Sequence, residues 1–154
     1  MAKFDAFEQF RMTDHVAIVT GGAQNIGEGI ARTFSGAGAK VMIADLNGEK
    51  AAATAKTIAE ETGNPVRGIG CNVTVEADIE RCVAETVKAF GGVSTLVNNV
   101  GWGRAYDDPL AITPEEMVES YKLNTISAMR MTAACREHLL KAKNATITNS
   151  GSMV

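Results

Sequence analysis

A glycine-rich turn between an apolar run and a helical pattern constrains the fold of this chain more than any other feature. The apolar run His15–Val19 is followed by Thr20–Gly27, whose sequence is TGGAQNIG, and a helical pattern begins near Glu28. Glycines at such a turn let the backbone approach a pyrophosphate, and the helix N-terminus offers free N–H groups and the positive end of its dipole. The segment therefore predicts a site for the phosphates of a dinucleotide.

An acidic residue after the second apolar run supports the same prediction. Asp45 follows Val41–Ala44 at the distance where a carboxylate accepts hydrogen bonds from the adenosine ribose hydroxyls. A 2′-phosphate would lie against this carboxylate, and two like charges about 4 Å apart repel by roughly 1 to 4 kcal/mol. Neither the turn nor Leu46 and Asn47 supplies a compensating cation. We therefore expect NAD rather than NADP, the alternative being an Asp that merely ends a strand at a turn.

Composition excludes several classes of protein. With 154 residues, of which 45% are hydrophobic, the chain is long enough for one domain with a sizeable core. A formal net charge of −3 without a basic block argues against nucleic acids and anionic membrane surfaces as partners. Residues Met1–Arg11 lack the continuous apolar core of a signal peptide, and no later run is long enough to span a bilayer. We expect a cytoplasmic protein.

The three cysteines favour buried, reduced thiols. Cys71, Cys82 and Cys135 are odd in number and widely spaced, and no C-x-x-C pair occurs. This pattern argues against a disulfide framework and against a metal site.

Helical and strand patterns alternate along the chain. After the second strand, the expected elements are a helix over Gly48–Glu61, a strand over Val66–Cys71, a helix over Glu76–Phe90, a strand over Thr95–Val97, a long helix from the capping box at Thr113 to about Lys141, and a strand over Ala145–Asn149. This order predicts an α/β fold with a parallel sheet and right-handed crossovers, with ligand sites beyond the carboxyl ends of the strands. We expect residues 13–154 to form this domain and residues 1–12 to be an N-terminal extension.

The motifs together resemble the short-chain dehydrogenase/reductase family over about residues 13 to 154. The family's Thr-Gly-x3-Gly-x-Gly turn matches Thr20–Gly27, and its Asn-Asn-Ala-Gly segment matches Asn98–Gly101. The resemblance implies a Rossmann-like, doubly wound parallel sheet with strand order 3-2-1-4-5 and NAD as cofactor. The residues it assigns to cofactor binding are Gly21, Gln24, Asn25, Ile26, Gly27, Asp45, Leu46, Asn72, Val73, Asn99 and Gly101.

Two of these residues depart from the family pattern. Asn25 replaces the middle glycine of the turn, and asparagine is the residue other than glycine that best adopts a positive φ. Asn72 stands where the family has an Asp at the adenine amino group, and its amide oxygen is expected to accept that bond more weakly. Gly29, one turn into the helix, is expected to allow close packing of the helix on the strand.

The resemblance also assigns two catalytic residues. Asn124 matches the asparagine of the family's proton-relay tetrad, and Ser152 matches the serine that hydrogen-bonds the substrate oxygen. Ser150 is a nearby competitor for that role, and Asn124 has the alternative of a solvent-facing helix residue. The reaction implied is hydride transfer between a secondary alcohol or ketone and the nicotinamide.

The family's Tyr-x-x-x-Lys pair does not occur within the 154 residues. Neither Tyr106 nor Tyr121 is followed by lysine four residues later. We expect the sequence to be the N-terminal portion of a longer enzyme, truncated before the sixth strand and inactive by itself. If Val154 is the natural end, the alternative is a non-catalytic NAD-binding module or regulatory pseudoenzyme.

Substrate and oligomeric state are the least determined features. Trp102, Arg104 and Tyr106 follow the fourth strand, where the family lines its substrate site, and the motif order is weakly similar to bacterial hydroxysteroid dehydrogenases. Sugars, small diols and acyl ketones remain alternatives. The long helix over 114–141 carries more apolar residues than one buried face needs. The resemblance implies a homodimer or homotetramer through this helix, whereas burial within its own domain is the alternative.

Overall fold

A computed structural model describes residues 7–103 and 111–151, and these residues form an α/β fold. After a 3-10 helix at Phe7–Phe10, the elements in chain order are β1 Val16–Thr20, α1 Asn25–Gly36, β2 Lys40–Asp45, α2 Gly48–Thr62, β3 Val66–Gly70, α3 Glu76–Phe90, β4 Thr95–Asn98, α4 Pro114–Tyr121, a π-helical segment Lys122–Ile126, α5 Ser127–Lys141 and β5 Thr146–Asn149. The predicted alternation of strand and helix is confirmed, with element ends that differ by up to three residues.

The five strands form one parallel sheet in the order β3-β2-β1-β4-β5. The Rossmann-like, doubly wound fold and the strand order 3-2-1-4-5 are therefore confirmed. β1 lies at the centre, where Ile18 is opposite Met42 of β2 and Leu96 of β4. The glycine-rich turn Thr20–Gly27 therefore starts from the middle of the sheet, and the ends of the other strands lie on both sides of it.

Each face of the sheet has its own hydrophobic core. On one face α1 and α2 contribute Ala31, Ala51 and Ile58 to the packing on β1 and β2. On the other face α3 and α5 contribute Ile79 and Met131. Because both faces are covered over β1, β2 and β4, these strands need no polar alternation and appear in the sequence as apolar runs, whereas all four residues of β5 are exposed.

The long helix differs from the sequence prediction in one respect. The capping box at its start is present, since Thr113 Oγ1 accepts from Glu116 N at 3.2 Å and Thr113 N donates to Glu116 Oε2 at 3.0 Å. The helix reaches Lys141 as expected, but residues Lys122–Ile126 form a π turn in which Ser127 N donates to Lys122 O. The π turn surrounds Asn124. π-Bulges of this kind are frequent at functional sites.

Two further predictions have definite outcomes. Cys71, Cys82 and Cys135 are buried and not disulfide-bonded, as expected. The expectation that Gly29 allows close packing is wrong, because a Cβ built on Gly29 has no neighbour within 4 Å. Among the residues that the structure describes, no helix is long and apolar enough to cross a membrane.

Candidate functional site

The turn after β1 adopts the backbone conformation that its sequence predicts. Gly21 has a φ of 63°, and its N–H donates to Ala44 O at 2.7 Å, which ties the turn to the end of β2. Asn25 has a φ of 51°, so asparagine occupies the left-handed conformation in place of the usual glycine. The substitution at Asn25 is therefore compatible with the turn.

The N-terminus of α1 has no side-chain cap. Gln24 is the N-cap residue, and its side chain makes no hydrogen bond to the first turn. Glu28 N donates to Gln24 O at 3.1 Å, which is the first hydrogen bond of the helix. The N–H groups of the three residues before Glu28 therefore have no acceptor within the helix. Ile26, in this turn, is 73% exposed. The helix end can therefore accept an anionic group, with the helix dipole favouring it.

The Asp45 carboxylate is fixed by the backbone on both sides. Ala23 N donates to Oδ2 at 3.1 Å, and Asn47 N donates to Oδ1 at 3.1 Å. Asp45 is half-buried, and Leu46 beside it is 77% exposed. Since an ionised carboxylate has about four lone-pair sites, two of them filled here, Asp45 retains acceptors for a pair of hydroxyls.

A cation that the sequence argument missed lies beside the turn. Asn47 caps α2 by accepting from Lys50 N at 3.0 Å, and Lys50 Nζ donates to Gln24 Oε1. The available signal was the position of Lys50 three residues after a helix-capping asparagine, which puts it in the first turn of α2. This bridge connects α2 to the turn in front of α1.

The segment after β4 holds the turn after β1 in place. Asn99 N donates to Thr20 Oγ1 at 3.0 Å, and Asn99 Nδ2 donates to Thr20 O at 3.1 Å and to Gly21 O at 3.3 Å. A Cβ on Gly27 would overlap Gly21 O and lie 2.7 Å from Asn99 Nδ2. Asn99 and Gly27 therefore shape the site from within the protein.

The amide group of Asn124 bonds to the backbone of Trp102 and to the side chain of Ser120. Its Oδ1 accepts from Trp102 N at 2.7 Å, and its Nδ2 donates to Trp102 O at 2.8 Å and to Ser120 Oγ at 3.0 Å. Gly101 is close by, because a Cβ on it would lie 3.4 Å from Asn124 Oδ1. The side chain of Asn124 thus anchors the chain that follows β4.

The third strand end brings Asn72 and Val73 to the same edge. Cys71 N donates to Asp45 O at 2.7 Å, which extends the β2–β3 pairing to this point. Asn72 is half-buried, whereas the Val73 side chain is only 4% exposed and belongs to the core. Contact of Val73 with a ligand would therefore have to involve its backbone.

Some sequence-predicted site residues cannot be placed. Ser152, Arg104 and Tyr106 lie outside the described residues. The other predicted residues gather at the carboxyl ends of β1 to β4 and on the π turn. Three adjacent strand ends carry, in order, an uncapped helix end, a fixed carboxylate and a polar side chain. This order fits the pyrophosphate, the ribose and the base of a dinucleotide.

Comparison with known proteins identifies relatives for nearly the whole chain. A sequence model described as short chain dehydrogenase matches residues 15–154. The 4-formylbenzenesulfonate dehydrogenase of Comamonas testosteroni is 35% identical over 141 residues, covering 92% of this chain and 56% of that protein. The L-fucose dehydrogenase of Bos taurus is 33% identical over 144 residues, covering 94% of this chain and 51% of that protein.

A solved structure has the same fold. A 7α-hydroxysteroid dehydrogenase, in complex with NADH and 7-oxo glycochenodeoxycholic acid, superimposes with a TM-score of 0.85 and 27% sequence identity. The match covers 94% of this chain and 55% of that one. The chain thus spans about half the length of the curated relatives it matches.

Proposed function

Because the chain belongs to the short-chain dehydrogenase family, we propose that it holds the cofactor-binding part of an oxidoreductase that interconverts a secondary alcohol and a ketone. The observation that carries this proposal is the pairing of an uncapped α1 N-terminus with the fixed Asp45 carboxylate at the next strand end. The cofactor-binding unit is residues 13–154, with residues 1–12 as an extension. The substrate is a small molecule, and the bile-acid ligand of the structural relative makes a sterol one candidate among several.

The cofactor in this proposal is NAD. A 2′-phosphate on the adenosine ribose would meet the Asp45 carboxylate, whose two oxygens are already oriented by Ala23 N and Asn47 N. Lys50 is a cation near the turn, and its ammonium group donates a hydrogen bond to Gln24 Oε1. Charge repulsion at Asp45 therefore favours the cofactor without the phosphate.

The residues have distinct roles in the proposed reaction. The nicotinamide, when bound, supplies the carbon that takes up or releases hydride. The N–H groups at the start of α1 bind the pyrophosphate, and Asp45 accepts from the ribose hydroxyls. Asn124 positions the segment after β4 through Trp102, and Ser152 orients the substrate oxygen. The family resemblance assigns proton transfer to that oxygen to a Tyr-x-x-x-Lys pair.

The proposal includes a cytoplasmic location and self-association. Three free, buried thiols support a reducing compartment. The helix over 114–141 exposes Met117, Tyr121, Met129 and Leu140, each by more than half of its surface. Apolar side chains of this size on one helix favour a homodimer or homotetramer that covers them.

The substitution Asp45→Asn tests the proposal. It removes the charge that repels a 2′-phosphate and weakens acceptance from the ribose hydroxyls. We expect the Kd for NAD to rise about tenfold, since a hydrogen bond to a charged group contributes roughly 1.5 to 3 kcal/mol. The Kd for NADP should rise less or fall. Energy transfer from Trp102, the single tryptophan, to bound NADH or NADPH gives the titration signal, and NAD and NADP are titrated by their displacement of these reduced forms.

The ratio of the two Kd values on one variant cancels any loss of folded protein. Asp14→Asn, at an exposed position before β1, makes the same charge change away from the site and should leave the ratio unchanged. Absence of saturable binding of either cofactor to the unsubstituted protein would refute the proposed function. An unchanged ratio in Asp45→Asn would refute the choice of NAD by Asp45.

A further inference from the structure

The position of the base follows from the order of the strand ends and rests on the proposed function. The phosphates lie at the turn after β1, and the ribose lies at Asp45, at the end of β2. β3 is the next strand along this edge, paired with β2 as far as Cys71 N and Asp45 O at 2.7 Å. A dinucleotide laid along these ends places its base beside Asn72, the residue that follows.

The loop that carries Asn72 is held by contacts from three sides. Asn72 N donates to Asp78 Oδ2 at 2.9 Å, and Val75 N donates to Asn72 O at 2.9 Å. From α5, Arg130 Nη1 donates to Thr74 O at 3.3 Å. Because these bonds fix the backbone on both sides of Asn72, its side chain starts from a defined position.

The same loop determines which end of the Asn72 amide faces outwards. Thr74 N lies 3.0 Å from Asn72 Oδ1, and Thr74 Oγ1 lies 2.7 Å from it. A backbone N–H can only donate, so the atom facing Thr74 must be the amide oxygen, and both of its lone pairs are used. The Nδ2 group has no hydrogen-bond partner within residues 7–103 and 111–151. The free group beside the base is therefore a donor, and the expectation that the Asn72 oxygen is available to accept from the adenine amino group is wrong.

We propose that Asn72 makes the site tolerant of the base by presenting its amide N–H₂ group, a donor, where an acceptor would select adenine. The 6-amino group of adenine is also a donor and cannot accept from Asn72 Nδ2. Hypoxanthine has a carbonyl oxygen at position 6 and can accept from it. The site thus accepts dinucleotides whose purine carries either group.

The test compares NAD with nicotinamide hypoxanthine dinucleotide in equilibrium titrations of the purified protein. For the unsubstituted protein we expect the Kd of the hypoxanthine compound to be no more than about three times that of NAD. In Asn72→Asp one carboxylate oxygen keeps both Thr74 bonds, and the other replaces Nδ2 as an acceptor for the amino group of adenine. Preference for NAD over the hypoxanthine compound should then rise about tenfold.

Asn144→Asp is the matched control, because it makes the same change at an exposed residue just before β5, at the opposite edge of the sheet. Its preference should equal that of the unsubstituted protein. The inference is overturned if the unsubstituted protein prefers NAD by more than about threefold, or if Asn72→Asp leaves the preference unchanged while NAD still binds. If neither dinucleotide binds the unsubstituted protein, the proposed function itself has failed.

Discussion

Gly27 and Gly29 lie two residues apart in α1 but have very different surroundings. Gly27 is buried, and a Cβ there would overlap Gly21 O and approach Asn99 Nδ2 to 2.7 Å. Gly29 is exposed, and a Cβ there would have no neighbour within 4 Å. At the scale of single residues, Gly27 therefore serves the close approach of α1 to the turn, whereas Gly29 only weakens the helix.

Alanine substitutions at these two positions should have opposite effects on stability. Gly27→Ala forces the turn to move and should lower the free energy of unfolding by roughly 1 to 3 kcal/mol, the range for overpacking. Gly29→Ala should raise it by about 0.5 to 1 kcal/mol, because alanine is the better helix former. Urea unfolding of the two variants makes the comparison. Equal destabilisation by both substitutions would contradict the assigned role of Gly27.

The long helix illustrates how one element combines several functions. Its first turn is closed by the capping box of Thr113 and Glu116, and its π turn aligns Asn124 with the backbone of Trp102. Within this turn Ser127 N donates to Lys122 O, and Ser127 Oγ donates to Leu123 O. The buried face of α5 packs on the sheet through Met131. Its solvent side exposes Met129 and Leu140 among charged residues.

A charge on that exposed face should prevent the proposed self-association. Met129 is 66% exposed, so Met129→Glu leaves the core intact while making an apolar contact between copies unfavourable. Arg136→Gln, also at an exposed position of α5, changes the net charge by the same amount and serves as the control. Sedimentation velocity should show a smaller species for Met129→Glu alone. Identical sedimentation of both variants and the unsubstituted protein would exclude this face as the contact.

At the scale of the whole molecule, burial of the thiols couples folding to pH. Hydrogen bonding to Cys71, together with burial, raises the pKa of Cys82. Burial raises the pKa of Cys135 from an ordinary 9.0 to about 12, whereas the hydrogen bond from Cys82 lowers the pKa of Cys71. For Cys135 the unfolded chain releases its proton before the native state does. Its contribution to stability is complete below pH 9 and is lost as the pH rises towards 12.

Removal of the Cys135 thiol should therefore make the free energy of unfolding less dependent on pH in the alkaline range. Between pH 9 and 11, the free energy of unfolding of Cys135→Ala should fall less steeply than that of the unsubstituted protein, by up to about 1.4 kcal/mol per pH unit. Leu139→Ala, a buried α5 substitution without a titrating group, should shift the whole curve without changing its slope. Parallel curves for Cys135→Ala and the unsubstituted protein would contradict the pKa assignment.

Sequence reasoning succeeds for features that a few neighbouring residues govern. The positive φ at Asn25, the capping box at Thr113 and the apolar runs of the strands all follow from local conformational preference and burial. The alternation of strands and helices predicted the edge for a site, and the resemblance to a known family then supplied the strand order. Asp45 was assigned correctly to that edge because it directly ends a strand.

The pairing of side chains that are distant in sequence could not be predicted without the folded structure. Asn124 binds Trp102 across 22 residues, and Lys50 reaches Gln24 across 26, while the open surroundings of Gly29 contradict the packing expected for it. The Asn72 amide orientation is local but depends on how its loop folds against α3 and α5. Such contacts depend on the packing of whole elements, and a hydrogen bond tolerates errors of only a few tenths of an ångström. Sequence periodicity carries no information at that precision.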